Sequence, residues 1–317
     1  MLIDTDTASD DAVALIMALR YRSAQAIAIT TVAGNVGVEQ ATRNALYTAE
    51  LCGAATPIYQ GASKPLTRGL TTAHWFHGRD GLGDHGYAPP QRLAEKQHAV
   101  DAIIATARNN PGLLLVTLGP LTNIALALAQ APDFAHNVGR CVIMGGAPCC
   151  EGNVTPAAEY NMWVDPEAAR MVFRSGLPIE MVGWHLCRGA AVVGPADIEL
   201  INGMDTPLAH FAVECNSTAR AAYRTQTGED GISLPDPVAM SIVLDPSIGT
   251  ESSEHFVDIE TATELTRGMT VVDRLGVSGD DRNRATWAEL RDHGRKTKVH
   301  WTMDAPRWKQ ALYSALR

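Results

Sequence analysis

The sequence MLIDTDTASDDAVALIMALRY, residues 1–21, predicts a short apolar strand, an acidic loop and an amphipathic helix. The strand is predicted at Met1–Ile3 and the helix at Asp10–Tyr21. The same order of a short aliphatic run and a longer amphipathic run recurs as far as about Val182, which is typical of βαβ units around a parallel sheet. We therefore expect an α/β fold with a doubly wound, mostly parallel central sheet of Rossmann-like type.

The predicted elements follow this alternation up to about Val182 and are less regular afterwards. Further strands are predicted at Ala26–Val32, Leu113–Leu118, Cys141–Met144 and Ile179–Val182, and further helices at Val38–Cys52, His98–Asn109, Leu121–Ala131 and Asp165–Arg174. Beyond Gly183 we predict helices at Thr206–Arg224, Pro237–Leu244 and Ala305–Leu316, and strands at Phe256–Thr263, Thr270–Asp273 and Thr297–Thr302. No repeat or linker marks a boundary, so we expect one domain over residues 1–317, less distinctive over 246–317.

Composition excludes several classes of partner. The net charge is −9, and the basic residues are scattered, which disfavours nucleic acid and anionic membranes as partners. No apolar run approaches a membrane span, and the acidic start does not resemble a leader segment. The six cysteines lack CxxC spacing, so we expect reduced thiols in the cytoplasm, with Cys149-Cys150 a packed or exposed pair rather than a redox site.

The acidic loop contains Asp4, Asp6, Asp10 and Asp11 within eight residues. Two unit charges about 4 Å apart repel by about 4 kcal/mol at an effective dielectric constant near 20, so four ionised carboxylates need compensation. A hard cation such as Ca²⁺ or Mg²⁺ suits carboxylate and carbonyl oxygens, whereas the Cys/His grouping that zinc prefers is missing from this loop. In the simpler interpretation, one or two acids cap the helix and the others face water.

Two metal-binding motifs compete for this loop. An EF-hand requires glycine at the sixth position and glutamate at the twelfth, where this chain has Ser9 and Leu15. The haloacid-dehalogenase phosphatases use Asp-x-Asp-x-Thr/Val with a later acidic pair, such as SGDDRN at 278–283. That match fails at Ala8, so a magnesium-dependent phosphatase with Asp4 as nucleophile remains only an alternative.

Four other stretches supply oxygen ligands near predicted strand ends or helix starts. They are TVAGNVG with Asn35, VTLGPLTNIA, whose Gly-Pro turn can leave the Leu118 carbonyl unpaired, GNVTPAAEYNMWVDPEAA with Asn153, Glu159 and Asn161, and SLPDPVAM with Asp236. Each alone is ordinary turn chemistry. Together they offer the mixture of carboxylates and amides that recognises vicinal hydroxyl groups.

With these motifs in order, the chain resembles the calcium-dependent inosine-uridine preferring nucleoside hydrolase family. DTDTASDDAVAL is similar to the family's Asp-Thr-Asp-x-x-x-Asp-Asp-Ala signature, and the correspondence extends to about residue 245 through AGN, FHGRDGLGD, GPLTN, MGGA, GNVTPAAEYN and WVDPEAA. The resemblance implies hydrolysis of the N-glycosidic bond of a ribonucleoside or related N-riboside to ribose and free base, with a calcium-bound water as nucleophile. It also implies a homodimer or homotetramer.

The resemblance assigns a role to each acid. It implies that calcium is held by Asp6, Asp11, the Leu118 carbonyl and Asp236. Asp6 would also be the general base, while Asp4 would be structural. The ribose hydroxyls would be bound by Asp10, Asn35, Asn153, Glu159 and Asn161.

Two positions depart from the family pattern. Pro235 stands where family members have His or Trp, and proline can neither donate a proton nor stack like indole. His77 and Trp75 are candidates for activating or stacking on the base, with Tyr223, Arg224 and Gln226 as weaker ones. His185-Leu186-Cys187 replaces the usual Asp-Val-Thr. The proline also leaves open a non-catalytic ribose-binding protein.

Overall fold

The computed structural model describes residues 1–23 and 25–317, and its strands belong to one large sheet and a small hairpin. The ten strands of the described residues are β1 Leu2–Thr5, β2 Ala28–Thr31, β3 Ile58–Gln60, β4 Leu113–Thr117, β5 Val138–Met144, β6 Ile179–Val182, β7 Gly249–His255, β8 Val257–Ile259, β9 Thr270–Val272 and β10 Thr297–Met303.

Helices connect most of the strands. In the described residues they are α1 Ser9–Arg20, α2 Val38–Leu51, α3 His74–His77, α4 Ala99–Asn109, α5 Thr122–Gln130, α6 Tyr160–Val164, α7 Pro166–Phe173, α8 Pro195–Asn202, α9 Pro207–Glu214, α10 Ser217–Thr227, α11 Pro235–Leu244, α12 Arg284–His293 and α13 Ala305–Leu316. No helix in the described ranges is long and apolar enough to cross a membrane.

The large sheet has the strand order β3-β2-β1-β4-β5-β6-β10-β7. All its pairs are parallel except β10 with β7, as the predicted doubly wound fold requires. The chain proceeds outward from β1 to β3 and then returns to the other side of β1 to form β4. The loops after β1 and β4 therefore diverge at a topological switch point, where open α/β sheets bind their ligands.

Each face of the sheet has its own hydrophobic core. In β1, Leu2 packs with Leu115 beneath α4, α5 and α7, whereas Ile3 packs with Val116 beneath α1, α2 and α11. Alternate side chains of a strand point to opposite faces, so covering both faces requires continuous apolar strands. This is why the short strands could be recognised from the sequence.

Two strands, β3 and β7, were not predicted because they lack a continuous apolar run. Strand β7, GTESSEH, is a polar edge strand with mostly exposed side chains, and β3 has only three residues. The predicted helix Thr206–Arg224 is wrong as a single element, since it is divided into α9 and α10. At the break Asn216 donates from Nδ2 to the Ala212 carbonyl at 2.9 Å, which satisfies the end of α9 with a side chain.

Candidate active site

Asp6 lies in the loop after β1, between the loops that follow β2 and β4. The Asn35 backbone N–H donates to Asp6 Oδ2 at 2.6 Å. A Cβ at Gly119 would lie 2.7 Å from Asp6 Oδ1, and one at Gly34 would collide with Oδ2, so only glycine permits this approach. Asp6 Oδ1 is buried and makes no hydrogen bond within residues 1–23 and 25–317. It is therefore left as a free acceptor.

Asp10, Asp11 and Asp236 bring carboxylates to the N-termini of α1 and α11. Asp11 accepts from Thr5 Oγ1 at 2.5 Å and from the Ala8 backbone N–H at 2.9 Å, which caps α1. One oxygen from each of the three acids lies within 4.8 Å of the others. Asp10 Oδ1 is buried and, among the described residues, accepts no hydrogen bond.

Burial and mutual repulsion raise the free energy of the ionised form of these carboxylates. Burial first, and then the neighbouring acids, raise the pKa values of Asp6 and Asp236 well above the usual range. Burial raises the pKa of Asp10 and of Asp11 to about 6. Carboxylates with unpartnered buried oxygens fit a hard divalent cation, which would replace repulsion by coordination. The site thus has the chemistry of a metal centre for oxygen-seeking ions.

The Leu118 carbonyl is not unpaired, contrary to the expectation from its Gly-Pro turn. It accepts a hydrogen bond from Asn161 Nδ2 at 2.8 Å, because α6 brings that amide across to the end of β4. A carbonyl oxygen has two lone pairs, so one remains available to a further ligand.

Asp4 differs from the other acids of the first loop in its hydrogen bonds. Thr30 Oγ1 and Asn123 Nδ2 donate to Asp4 Oδ1 at 2.5 and 2.8 Å, and burial raises its pKa to about 7. Asp4 does not line the pocket described below, and neither do Asp6 and Asp11, so what distinguishes Asp4 is that two side chains donate to its Oδ1. The later acids of SGDDRN, Asp280 and Asp281, are exposed and paired with arginines, so the phosphatase interpretation loses its second acidic element.

A pocket opens above the acids, with about 670 Å³ of space that is partly open to solvent. Its lining includes all five residues predicted to bind ribose, namely Asp10, Asn35, Asn153, Glu159 and Asn161. Glu159 caps α6 by accepting from the backbone N–H groups of Asn161 and Met162 at 2.8 and 3.3 Å, and it also accepts from that of Gly146 at 2.8 Å. Burial raises the Glu159 pKa to about 7.

Aromatic residues also line the pocket. Trp75, which is 54% exposed, and Tyr223 line it together with Gln226 and Pro235. Arg224 does not line this pocket but lies on the exposed side of α10, which argues against its predicted contact with the base. Three lining aromatic residues were missed by sequence reasoning: Phe76, Tyr160 and Trp184. Trp184 lies just after the carboxyl end of β6. That position in the sequence is the feature that could have identified it as a residue of the site.

His77 lines the pocket beside Asp10. Its Nδ1 is 2.8 Å from Ser9 Oγ and 3.8 Å from Asp10 Oδ1. Burial lowers the pKa of His77 to about 4, so the ring is neutral near pH 7. His77 therefore interacts with a ligand as a neutral imidazole.

His185 lies away from these acids, whereas two cysteines lie close to the site. Cys215 Sγ donates to the Ser9 carbonyl at 3.6 Å, and the Cys187 carbonyl accepts from Ser233 of the pocket lining at 2.9 Å. His185 Nε2 is 2.9 Å from the His300 carbonyl, and the ring packs on Trp301 of β10. All six cysteines are free thiols, and Cys149 is exposed.

The comparisons with known proteins agree on one family. The model of the family described as inosine-uridine preferring nucleoside hydrolase matches residues 1–310. The pyrimidine-specific ribonucleoside hydrolase RihA of Shewanella woodyi is 38% identical over 286 residues, or 89% of this chain and 91% of that protein.

Solved structures agree with these sequence matches. A plant nucleoside hydrolase, PpNRh1, superposes with a TM-score of 0.92 at 32% identity, covering 99% of this chain and 98% of the other. An inosine-guanosine nucleoside hydrolase superposes with a TM-score of 0.88 at 30% identity, with the same coverage.

Proposed function

The chain belongs to the inosine-uridine preferring nucleoside hydrolase family, and we propose that it hydrolyses the N-glycosidic bond of ribonucleosides in the pocket at the ends of β1 and β4. The products are ribose and the free base, which enter salvage. One observation carries the proposal: buried acids with unpartnered oxygens lie beside a set of amides and carboxylates suited to a polyol.

We propose calcium as the metal, held by the carboxylates of Asp6, Asp11 and Asp236 and by the free lone pair of the Leu118 carbonyl. Two observations support this proposal. All the donor atoms are oxygens, and the pKa values of Asp6, Asp11 and Asp236 are raised, a shift that a bound cation would reverse. Bound there, calcium supplies a Lewis acid that makes water more acidic.

Asp6 is proposed as the general base. Its buried Oδ1 has no hydrogen-bond partner in the described chain, so this oxygen is free to accept a proton. Asp6 therefore takes a proton from the attacking water at Oδ1, while the Asn35 N–H holds Oδ2 in place.

The ribose is proposed to lie against the polar residues of the pocket lining. Asp10 would accept from the 2′-hydroxyl at its unpartnered Oδ1, and Asn35, Asn153, Glu159 and Asn161 would bind the remaining hydroxyls. Positive charge develops on the ribose as the glycosidic bond breaks. The surrounding carboxylates attract that charge most strongly in the transition state, which is where binding accelerates the reaction.

The base is proposed to lie against the aromatic residues of the pocket lining. Trp75 and Tyr223 offer surfaces for stacking, and His77 is proposed to form the hydrogen bond to the base that Pro235 cannot form. RihA is named as pyrimidine-specific and one structural match as acting on inosine and guanosine. We therefore propose a ribonucleoside as substrate without restricting its base.

Assembly and location are further parts of the proposal. Resemblance to the family supports a homodimer or homotetramer, which sedimentation equilibrium would test. The free state of all six cysteines supports a reducing, cytoplasmic environment.

The experiment that tests the function is a panel of purine, pyrimidine and nicotinamide ribosides, incubated with calcium or with a chelator, in which free ribose is quantified. We expect ribose release with calcium and its loss with the chelator, restored by added calcium. Tight riboside binding without ribose release under any condition would instead establish a ribose-binding protein.

A further inference from the structure

The hydrogen bond between Ser9 and His77 joins two segments that the proposed chemistry treats separately. Ser9 is the first residue of α1, directly before Asp10, and His77 is the last residue of α3. Their side chains meet at 2.8 Å between Oγ and Nδ1, although they are 68 residues apart in the chain. Ser9 is fully buried and His77 is 7% exposed.

The hydroxyl hydrogen of Ser9 decides which nitrogen of His77 carries the proton. Among the described residues, His77 Nδ1 is the single hydrogen-bond partner of Ser9 Oγ. If Nδ1–H donated to Ser9, the buried hydroxyl hydrogen would have no acceptor, and an unsatisfied buried donor is costly. The hydroxyl therefore donates and Nδ1 accepts, which leaves the hydrogen on Nε2.

The surroundings of the ring leave Nε2 for a ligand. Nδ1 faces Ser9, with Asp10 Oδ1 at 3.8 Å, beyond hydrogen-bond distance. The Phe76 ring packs against the imidazole with 4.9 Å between centroids. Nε2 makes no hydrogen bond within the part of the chain that the structure describes, and His77 lines the pocket.

We propose that Ser9 is a positioning residue, which fixes His77 as the Nε2–H tautomer so that it donates a hydrogen bond to the departing base. The inference rests on the proposed function and deepens it. Electrons of the glycosidic bond move onto the base as it leaves, and an N–H donor stabilises the resulting negative charge. The opposite tautomer would present a lone pair to that charge and repel it.

The tautomer can be measured without turnover. In the 317-residue chain with calcium and ¹⁵N-labelled histidine, the His77 resonances are assigned by their absence in His77→Gln. We expect a protonated Nε2 and an unprotonated Nδ1. Ser9→Ala should give a mixture of tautomers, whereas Ser9→Thr, which keeps the hydroxyl, should preserve the wild-type pattern. A protonated Nδ1 in the wild type, or an unchanged pattern in Ser9→Ala, would overturn the inference.

Kinetics with two kinds of leaving group test the consequence. Nucleosides need help to release the base, whereas 4-nitrophenyl β-D-ribofuranoside releases a stable phenolate. We expect Ser9→Ala to lower kcat for nucleosides about tenfold, the effect of losing one hydrogen bond, with KM and the nitrophenyl reaction nearly unchanged. His77→Ala should show the same selectivity, and the double variant should lose no more than His77→Ala alone.

The outcomes separate this inference from the proposed function. If His77→Ala is selective for the leaving group but Ser9→Ala is not, the positioning role of Ser9 is wrong while the role of His77 stands. Equal losses on both substrates in Ser9→Ala would indicate a general structural defect and also refute the inference. If the wild type releases ribose from neither substrate, the proposed function fails, and the tautomer measurement still decides the part that concerns Ser9.

Discussion

Asn123 connects the acidic loop, the sheet and the pocket loop, and replacing it with alanine should test how the site is held together. The residue is fully buried in the first turn of α5. Its Oδ1 accepts from the Ala62 backbone N–H at 2.9 Å, and its Nδ2 donates to Asp4 Oδ1 at 2.8 Å and to the Thr31 carbonyl at 2.9 Å. Ala62 begins the segment that carries Trp75.

The expected loss of stability in Asn123→Ala follows from these three hydrogen bonds. Two join neutral groups and contribute about 1 kcal/mol each, and the bond to the Asp4 carboxyl contributes about 1.5–3 kcal/mol if that group is ionised. Asn123→Ala should therefore lower the free energy of unfolding by about 3–5 kcal/mol. The same change should lower kcat, because the loop that carries Trp75 and His77 loses its attachment to α5.

Urea unfolding followed by tryptophan fluorescence measures the first effect, and ribose release measures the second. Gln130→Ala is the matched control, because it removes an exposed amide from the same helix that bonds to Asp101 at 3.1 Å. The control should change stability by less than about 0.5 kcal/mol. A loss below about 1 kcal/mol in Asn123→Ala would refute the reasoning that these bonds hold the site.

Three further outcomes are expected. Calcium should stabilise the wild type by about 3 kcal/mol at a hundredfold excess over Kd, measured as a rise in Tm, whereas Asp11→Asn should respond less; an equal response would argue against that ligand. Trp75→Ala should raise KM for nucleosides several-fold with little change in kcat, and an unchanged KM would remove Trp75 from the base site. Burial alone would raise the pKa of Glu180, but hydrogen bonds from His300 and Arg140 lower it below the ordinary value. Its stabilisation is present above the ordinary glutamate pKa and lost as the pH falls below it, so Glu180→Gln should show a smaller drop in Tm than the wild type between about pH 5 and pH 3.

Much of the fold follows from local patterns in the sequence. Both faces of the sheet are covered, so Leu2–Ile3 of β1 and Leu113–Val116 of β4 are unbroken apolar runs that could be recognised. Strand β7 could not, because an edge strand needs no apolar face and its sequence is polar. The break between α9 and α10 depends on Asn216 reaching a carbonyl of the preceding turn, a choice that the amphipathic pattern does not reveal.

The candidate site was predictable where strand ends carry unusual polar residues. Asp6 and Asn35 follow adjacent parallel strands, so their proximity follows from the topology. The hydrogen bond from Asn161 to the Leu118 carbonyl was not predictable, because it joins loops whose distance depends on the packing of α6. Likewise, nothing in the local sequence around Ser9 shows that its hydroxyl meets His77, 68 residues away.

The central claim is that the acids of the first loop have different roles, with Asp6 taking the proton from water. Ribose release by Asp6→Asn, in the presence of calcium, tests this claim most directly. Asp205→Asn is the control, because that side chain is 93% exposed and lies outside the pocket. If the account is correct, Asp6→Asn loses about 10³-fold in kcat with an unchanged circular dichroism spectrum, and the control retains wild-type activity. A folded Asp6→Asn enzyme within about tenfold of the wild-type kcat would contradict it.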